Sequence, residues 1–203
     1  MPIIDHNGKY LLFIHIPKTG GTSLFQWLKS TGDIYFYETN VPNFLKVTPQ
    51  HLTFDNIKIL LPFIKFDYCF TIVRNPYDRF LSEYFFRTEK QFKRFGKRPS
   101  FSQWGLSSIS QFSNNKFILD NHLRPQSHFI AKGIKIFKFE DGLENIKSEI
   151  CKTFCLDSDT QLNHKNKNRA KKIVSWSSEL RLTFNDLYKD DFSLFSYQLI
   201  KPI

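Results

Sequence analysis

Within the seven residues Pro17, Lys18, Thr19, Gly20, Gly21, Thr22 and Ser23 the chain gathers one ammonium, three hydroxyls and two glycines. Glycine allows the backbone to turn tightly, and hydroxyls with backbone N–H groups are the donors that an oxyanion needs. The loop follows an apolar, β-forming run from Tyr10 to Ile16 and precedes a helical pattern from Ser23 to Lys29. Strand, turn and helix in that order set successive N–H groups at a helix N-terminus, which makes an anion site. It is not a Walker A loop, in which the lysine follows the second glycine directly and precedes the last Ser/Thr; here Lys18 precedes both glycines. Farther on, Arg74 ends a second apolar run, Tyr68 to Val73, and Ser82 lies eight residues later in a helical pattern. The arginine offers a planar fork for phosphate, and the serine can face the same point if the helix starts there. Taken alone, an arginine and a serine so placed are more often solvated or capping residues.

The elements that must position these groups alternate. Strand Tyr10–Ile16 leads to the helix from Ser23. Strand Tyr68–Val73 leads to a helix from Tyr77 to Thr88, with Pro76 suited to its first turn. A third strand, Gly133 to Phe139, leads to a helix from Leu143 to about Phe154, on which Leu143, Ile146, Ile150 and Phe154 share a face. This alternation predicts an α/β fold with a central parallel sheet flanked by helices in three layers. Residues 35–49, 89–103 and the basic segment 163–172 read as loops around the site. The chain closes with a helix, Trp176 to Tyr188, and a docked aromatic tail.

The chain has 203 residues, 41% hydrophobic and 24% charged, enough for a core and short enough for a single domain over 1–203. A net charge of +10 favours nucleotides, polyanions or acidic surfaces as partners. No recognition-helix or RRM-type signature accompanies the charge, so nucleic acid is not expected. No apolar run reaches the ~20 residues of a membrane span, and no secretory leader is evident, which makes a cytoplasmic location the default. Cys69, Cys151 and Cys155 read as buried reduced thiols. Cys151, Cys155 and His164 lack a fourth ligand at a familiar spacing, so no metal is expected.

Two stretches carry a family resemblance. Ile16 to Ser23 resembles the 5'-phosphosulfate loop of the sulfotransferases that use 3'-phosphoadenosine 5'-phosphosulfate (PAPS), in the form seen in their carbohydrate-modifying branch. Phe70 to Tyr84 resembles their 3'-phosphate signature, which implies that Arg74 and Ser82 grip that phosphate. The resemblance further implies a P-loop-like fold, PAPS as donor, and a hydroxyl acceptor, which the loop's form and a Pro-Gln segment favour as a glycan. Lys18, Thr19, Gly20, Gly21, Thr22 and Ser23 would then hold the 5'-phosphosulfate, with Lys18 neutralising the leaving group.

Such a reaction needs a base for the acceptor hydroxyl, and imidazole is the commonest. His51 lies between the two motifs, where heparan-type sulfotransferases place their catalytic histidine at the start of a helix. His15 reads as buried within the first strand, and His6 and His164 as surface or loop residues. His122 and His128 flank Leu123 to Gln126. Asp120 to Ser127 is similar to a cleft-lining segment of carbohydrate sulfotransferases, through which His122 or Arg124 would meet the acceptor; a plain turn made by Pro125, with Gln126 tying backbone, is an equal reading. Lys167 and Arg169 occupy the place of a basic loop closing over the nucleotide, or else a solvated face. Lys90, Lys93, Arg94, Lys97 and Arg98 either grip an anionic sugar chain or end a helix in solvent. Two other classes stay open on the sequence: a magnesium- and ATP-dependent phosphoryl transferase, and a non-catalytic nucleotide or polyanion binder.

Overall fold

The computed structural model describes residues 1–156, 162 and 174–201. The described residues form two compact units, one of 1–74 with 128–156 and 162, the other of 75–127 with 174–201.

The first unit holds a five-stranded sheet: β1 (Ile3–His6), β2 (Lys9–Ile14), β3 (Asp33–Tyr35), β4 (Tyr68–Val73) and β5 (Lys135–Lys138), in the order β3-β1-β2-β4-β5. Strands β2, β4 and β5 are parallel, with Ile14 opposite Thr71 and Val73 opposite Lys138. The expected parallel sheet is therefore the centre and one edge of a mixed one, because β1 and β3 add antiparallel on the other side. The β1–β2 hairpin turns at Asn7 and Gly8, both at positive φ, the conformation that Asn-Gly adopts in two-residue hairpins.

Among the described residues, this unit carries the α-helices α1 (Gly21–Leu28), α2 (Phe54–Leu60) and α5 (Leu143–Phe154). One sheet face, made of Ile4, Leu11, Phe13, Phe70, Ile72 and Phe137, packs against Leu24, Phe25, Trp27 and Leu28 of α1 and Ile146, Ile150 and Phe154 of α5. The alternating residues Leu12, Ile14, Thr71 and Val73 are buried as well. Burial on both faces explains why these strands read as continuous apolar runs.

The second unit is helical: α3 (Pro76–Phe95), α4 (Phe101–Asn114), α6 (Ser178–Leu187) and α7 (Lys189–Leu194). Its core joins Tyr77, Phe80 and Tyr84 of α3 to Phe101, Ile109 and Phe112 of α4 and Leu180, Phe184 and Phe192 of α6 and α7. Pro76 does open α3, and the Asn75 side chain accepts the Tyr77 N–H. Two expectations fail here. Helix α3 runs to Phe95, so most of the expected loop 89–103 is helix, and α4 had no counterpart among the elements expected from sequence.

Four smaller expectations are corrected. His6 lies within β1, half-buried, its Nδ1 2.6 Å from the Thr31 carbonyl. His15 is buried, one residue beyond β2 instead of within it. Cys155 is exposed where α5 ends in a left-handed residue, while Cys151 is buried, and none of the cysteines is in a disulfide. Cys69, also expected to be buried, is half-buried; burial pushes its thiol up to about 11, so it stays protonated at neutral pH.

Candidate active site

Three loops leave the carboxyl ends of β2, β4 and β5, the edge at which open α/β sheets bind ligands. The first, Pro17–Gly20, is held in an unusual shape. Lys18 has φ of 69° and Gly20 of 84°, so two left-handed residues flank the buried Thr19. Left-handed backbone in a tight turn aims successive N–H groups into one concavity. For lysine this conformation costs on the order of 1–2 kcal/mol, and neighbours hold it. The Thr19 hydroxyl donates to the Ile16 carbonyl at 2.9 Å. Arg74 donates through Nη1 to the Lys18 carbonyl at 3.3 Å.

The glycines answer to close packing as well as to turning. A Cβ on Gly20 would meet the Phe139 ring at 2.6 Å, and one on Gly21 the His15 ring at 2.3 Å. The same Phe139 ring lies 4.7 Å from the Arg74 guanidinium carbon. Gly20 begins α1 with no side-chain cap, and Thr22 and Ser23 follow in its first turn, Thr22 exposed and Ser23 half-buried. The structure thus brings together the loop 17–23, Arg74 and the turn carrying Phe139. Phe139 was not singled out from the sequence; its place directly after a third parallel strand was the signal.

His51 belongs to the same unit. It sits in a short 3-10 turn, Pro49–His51, before α2, which starts with Thr53 and Asn56 in a capping box. The expected helix start is therefore one turn farther on. His51 is buried, its Nδ1 is 3.1 Å from the His15 carbonyl, and the two imidazoles are 5.0 Å apart. A carbonyl can only accept, so Nδ1 carries the proton. In the neutral ring Nε2 is then the acceptor, as a base requires.

In the helical unit, Ser82 is half-buried two turns into α3. His122 and Arg124 lie in a loop bound on every side. Leu119, Asp120 and Asn121 are all left-handed, with φ of 54°, 59° and 62°, a run strained chiefly at Leu119, by about 1–2 kcal/mol, since Asp and Asn enter this region more readily. Three side chains one turn apart on α3 grip this loop. Arg79 donates to the carbonyls of His122 at 2.9 Å and Arg124 at 3.0 Å. Glu83 meets the His122 Nδ1 at 2.8 Å, and Arg87 donates to the Leu119 carbonyl at 3.0 Å. From α7 and its start, Asp191 accepts the N–H groups of Gln126 and Ser127, each at 2.8 Å, and the Tyr188 hydroxyl donates to Leu123 at 2.7 Å. Hydrogen bonds to charged groups are worth about 1.5–3 kcal/mol each, so this set is large enough to offset the strain.

Burial would raise the Glu83 carboxyl, but the hydrogen bond and charge of His122, then Arg87, hold it down at about 2. Arg124 turns back on its own loop, its Nε 3.0 Å from Asn121 Oδ1. Sequence reasoning missed Arg79 and Glu83, since charged residues on an amphipathic helix look like its solvated face, and Tyr188 and Asp191, which read only as part of the closing helix and tail. Of the basic stretch after α3's middle, Arg98 pairs with Glu89 at 2.6 Å and stacks on Phe92, while Lys90, Lys93, Arg94 and Lys97 are exposed. Lys167 and Arg169, expected over the nucleotide, lie outside the described residues, as does His164.

The family model for the Sulfotransferase family matches residues 3–198. The chain belongs to that family, and the match runs through both units. It is an α/β enzyme of sulfo-group transfer, working between a sulfonate donor and a hydroxyl acceptor. No curated protein and no solved structure matches the chain. Among the described residues no helix is long and apolar enough to cross a membrane.

Proposed function

We propose that the donor is PAPS and the acceptor a hydroxyl of a carbohydrate. The observation that carries this reading is the loop 17–23 itself: a lysine and a glycine in left-handed conformation before an uncapped helix, clasped by an arginine from the next parallel strand. A dianionic 5'-phosphosulfate matches such a concavity in charge and in its demand for N–H donors.

In the proposed reaction, the acceptor oxygen forms a new S–O bond in line with the bond that breaks, between sulfur and the 5'-phosphate oxygen. His51 Nε2 takes the hydroxyl proton, its ring held by the His15 carbonyl. Lys18 and the amides of residues 19–23 neutralise charge growing on the leaving oxygen. Arg74 and Ser82 bind the donor's 3'-phosphate, with Lys167 and Arg169 as further donor contacts. The products are the sulfate ester and 3'-phosphoadenosine 5'-phosphate. The reading of the acceptor as a glycan rests on the resemblance of residues 120–127 to the cleft-lining segment, through His122 and Arg124, and on the net charge of +10, which suits an anionic chain.

Transfer of labelled sulfur from PAPS to a panel of glycans, without magnesium, tests the proposal. Turnover on at least one glycan is expected, with Lys18→Ala lowering kcat by about 100-fold or more, the scale of losing a donor to a developing oxyanion. Transfer to phenols or peptides alone would redirect the acceptor assignment, and turnover only with ATP and magnesium would overturn the donor.

A further inference from the structure

Arg79, Glu83 and Arg87 stand at successive turns of α3, and all three reach the loop that contains His122. The outer two bind main-chain carbonyls, which fixes the path of the backbone. The middle one binds a side chain. Glu83 is almost wholly buried, with one carboxylate oxygen 2.5 Å from Arg87 Nε and the other 2.8 Å from His122 Nδ1. The opposite flank of the loop is tied separately, by Asp191 and Tyr188. Retaining the backbone therefore does not call for Glu83. What Glu83 adds is control of one imidazole.

We propose that Glu83 is a positioning residue for the acceptor side of the reaction: it fixes the tautomer and the direction of the His122 ring, with Nδ1–H toward the carboxylate. A carboxylate only accepts, so Nδ1 carries a proton, and in the neutral ring Nε2 bears the lone pair that a sugar hydroxyl can meet. Three left-handed residues immediately before His122 set the direction from which the ring leaves the backbone. Phe86, one turn along α3, stacks on it with centroids 6.0 Å apart and planes within 19°. Backbone strain, a buried carboxylate and a stacked aromatic converge on one side chain, and strain of this kind persists where the surrounding structure over-determines a functional group.

This inference rests on the proposed sulfo transfer only for its consequence. The pair itself is tested without substrate, by imidazole nitrogen NMR of the full chain, with His122→Asn assigning the signal. In the wild type the neutral ring is expected to be the Nδ1–H tautomer alone; in Glu83→Gln, whose amide both donates and accepts, a mixture is expected. If Glu83→Gln does not fold, Glu83→Asp, with the charge at shorter reach, is read in the same way. An unchanged His122 signal overturns the proposal. In turnover, Glu83→Gln should lower kcat/KM for the acceptor about 10- to 100-fold, with affinity for 3'-phosphoadenosine 5'-phosphate within twofold of wild type. Added to His122→Asn, it should cost nothing more; losses that multiply would mean a purely structural role. Absence of both nucleotide binding and turnover would sink the proposed function, while the NMR arm would still decide the pair.

Discussion

At the scale of single residues, the proposed reaction gives Lys18, Arg74 and His51 different duties, and kinetics can separate them. In the proposed reaction Lys18 acts as charge builds on the leaving oxygen, so Lys18→Ala should lower kcat far more than donor affinity. Arg74 holds the loop through the Lys18 carbonyl and, in the proposed donor site, binds the 3'-phosphate as well. Arg74→Ala should chiefly weaken donor binding, by about tenfold or more, for the loss of a charged hydrogen-bond partner. His51→Ala should abolish transfer with donor affinity nearly intact, measured by calorimetry beside turnover. An unaltered rate would return the role of base to another histidine, His122 first. The loop 17–23, which the structure brings together with Arg74, was legible because chemistry concentrates rare combinations: lysine, two glycines and three hydroxyls in seven residues have few uses. Phe139, Glu83 and Asp191 were not legible, since each gains its role from a partner distant in sequence, such as Gln126 for Asp191.

At the scale of elements, the strand–loop–helix unit around Gly21 sets packing against propensity. Gly21 is the first residue of α1, where alanine would gain up to about 1 kcal/mol as a helix former. Its Cβ would, however, lie 2.3 Å from the His15 ring and 3.0 Å from Phe13. Both rings are buried, and overpacking of this kind costs about 1–3 kcal/mol. Clash should win: Gly21→Ala is expected to melt several degrees lower without any ligand, and an equal or higher melting temperature would show the loop to be slacker than these contacts imply. The ease of reading elements from sequence has the same origin. Strands β2 and β4 and helix α5 were evident because burial left unbroken or strictly periodic apolar patterns. Helix α4 was hidden by Gly105 and five serines among its fourteen residues. The end of α3 was hidden because its last turns are exposed and carry polar and charged residues among Phe92 and Phe95. The Asn7-Gly8 hairpin did carry a local signal, and it is the one that a closer reading of turns would have found.

At the scale of the whole molecule, acid stability and the donor site offer separate tests. Glu83, at about 2 in the folded chain against an ordinary 4.5, favours folding above pH 4.5 wherever His122 carries its charge. That contribution, about 3 kcal/mol at full strength, fades as pH falls from 4.5 toward 2. Wild type should therefore lose more stability across that window than Glu83→Gln, as read from urea midpoints at several pH values; parallel curves would remove the linkage. The most direct test of the central claim is calorimetric titration of the protein with 3'-phosphoadenosine 5'-phosphate, beside 5'-AMP and ATP, without magnesium. Tight binding that needs the 3'-phosphate and weakens in Arg74→Ala is the expected result. Equal affinity for all three nucleotides, or none for the first, would contradict a PAPS donor.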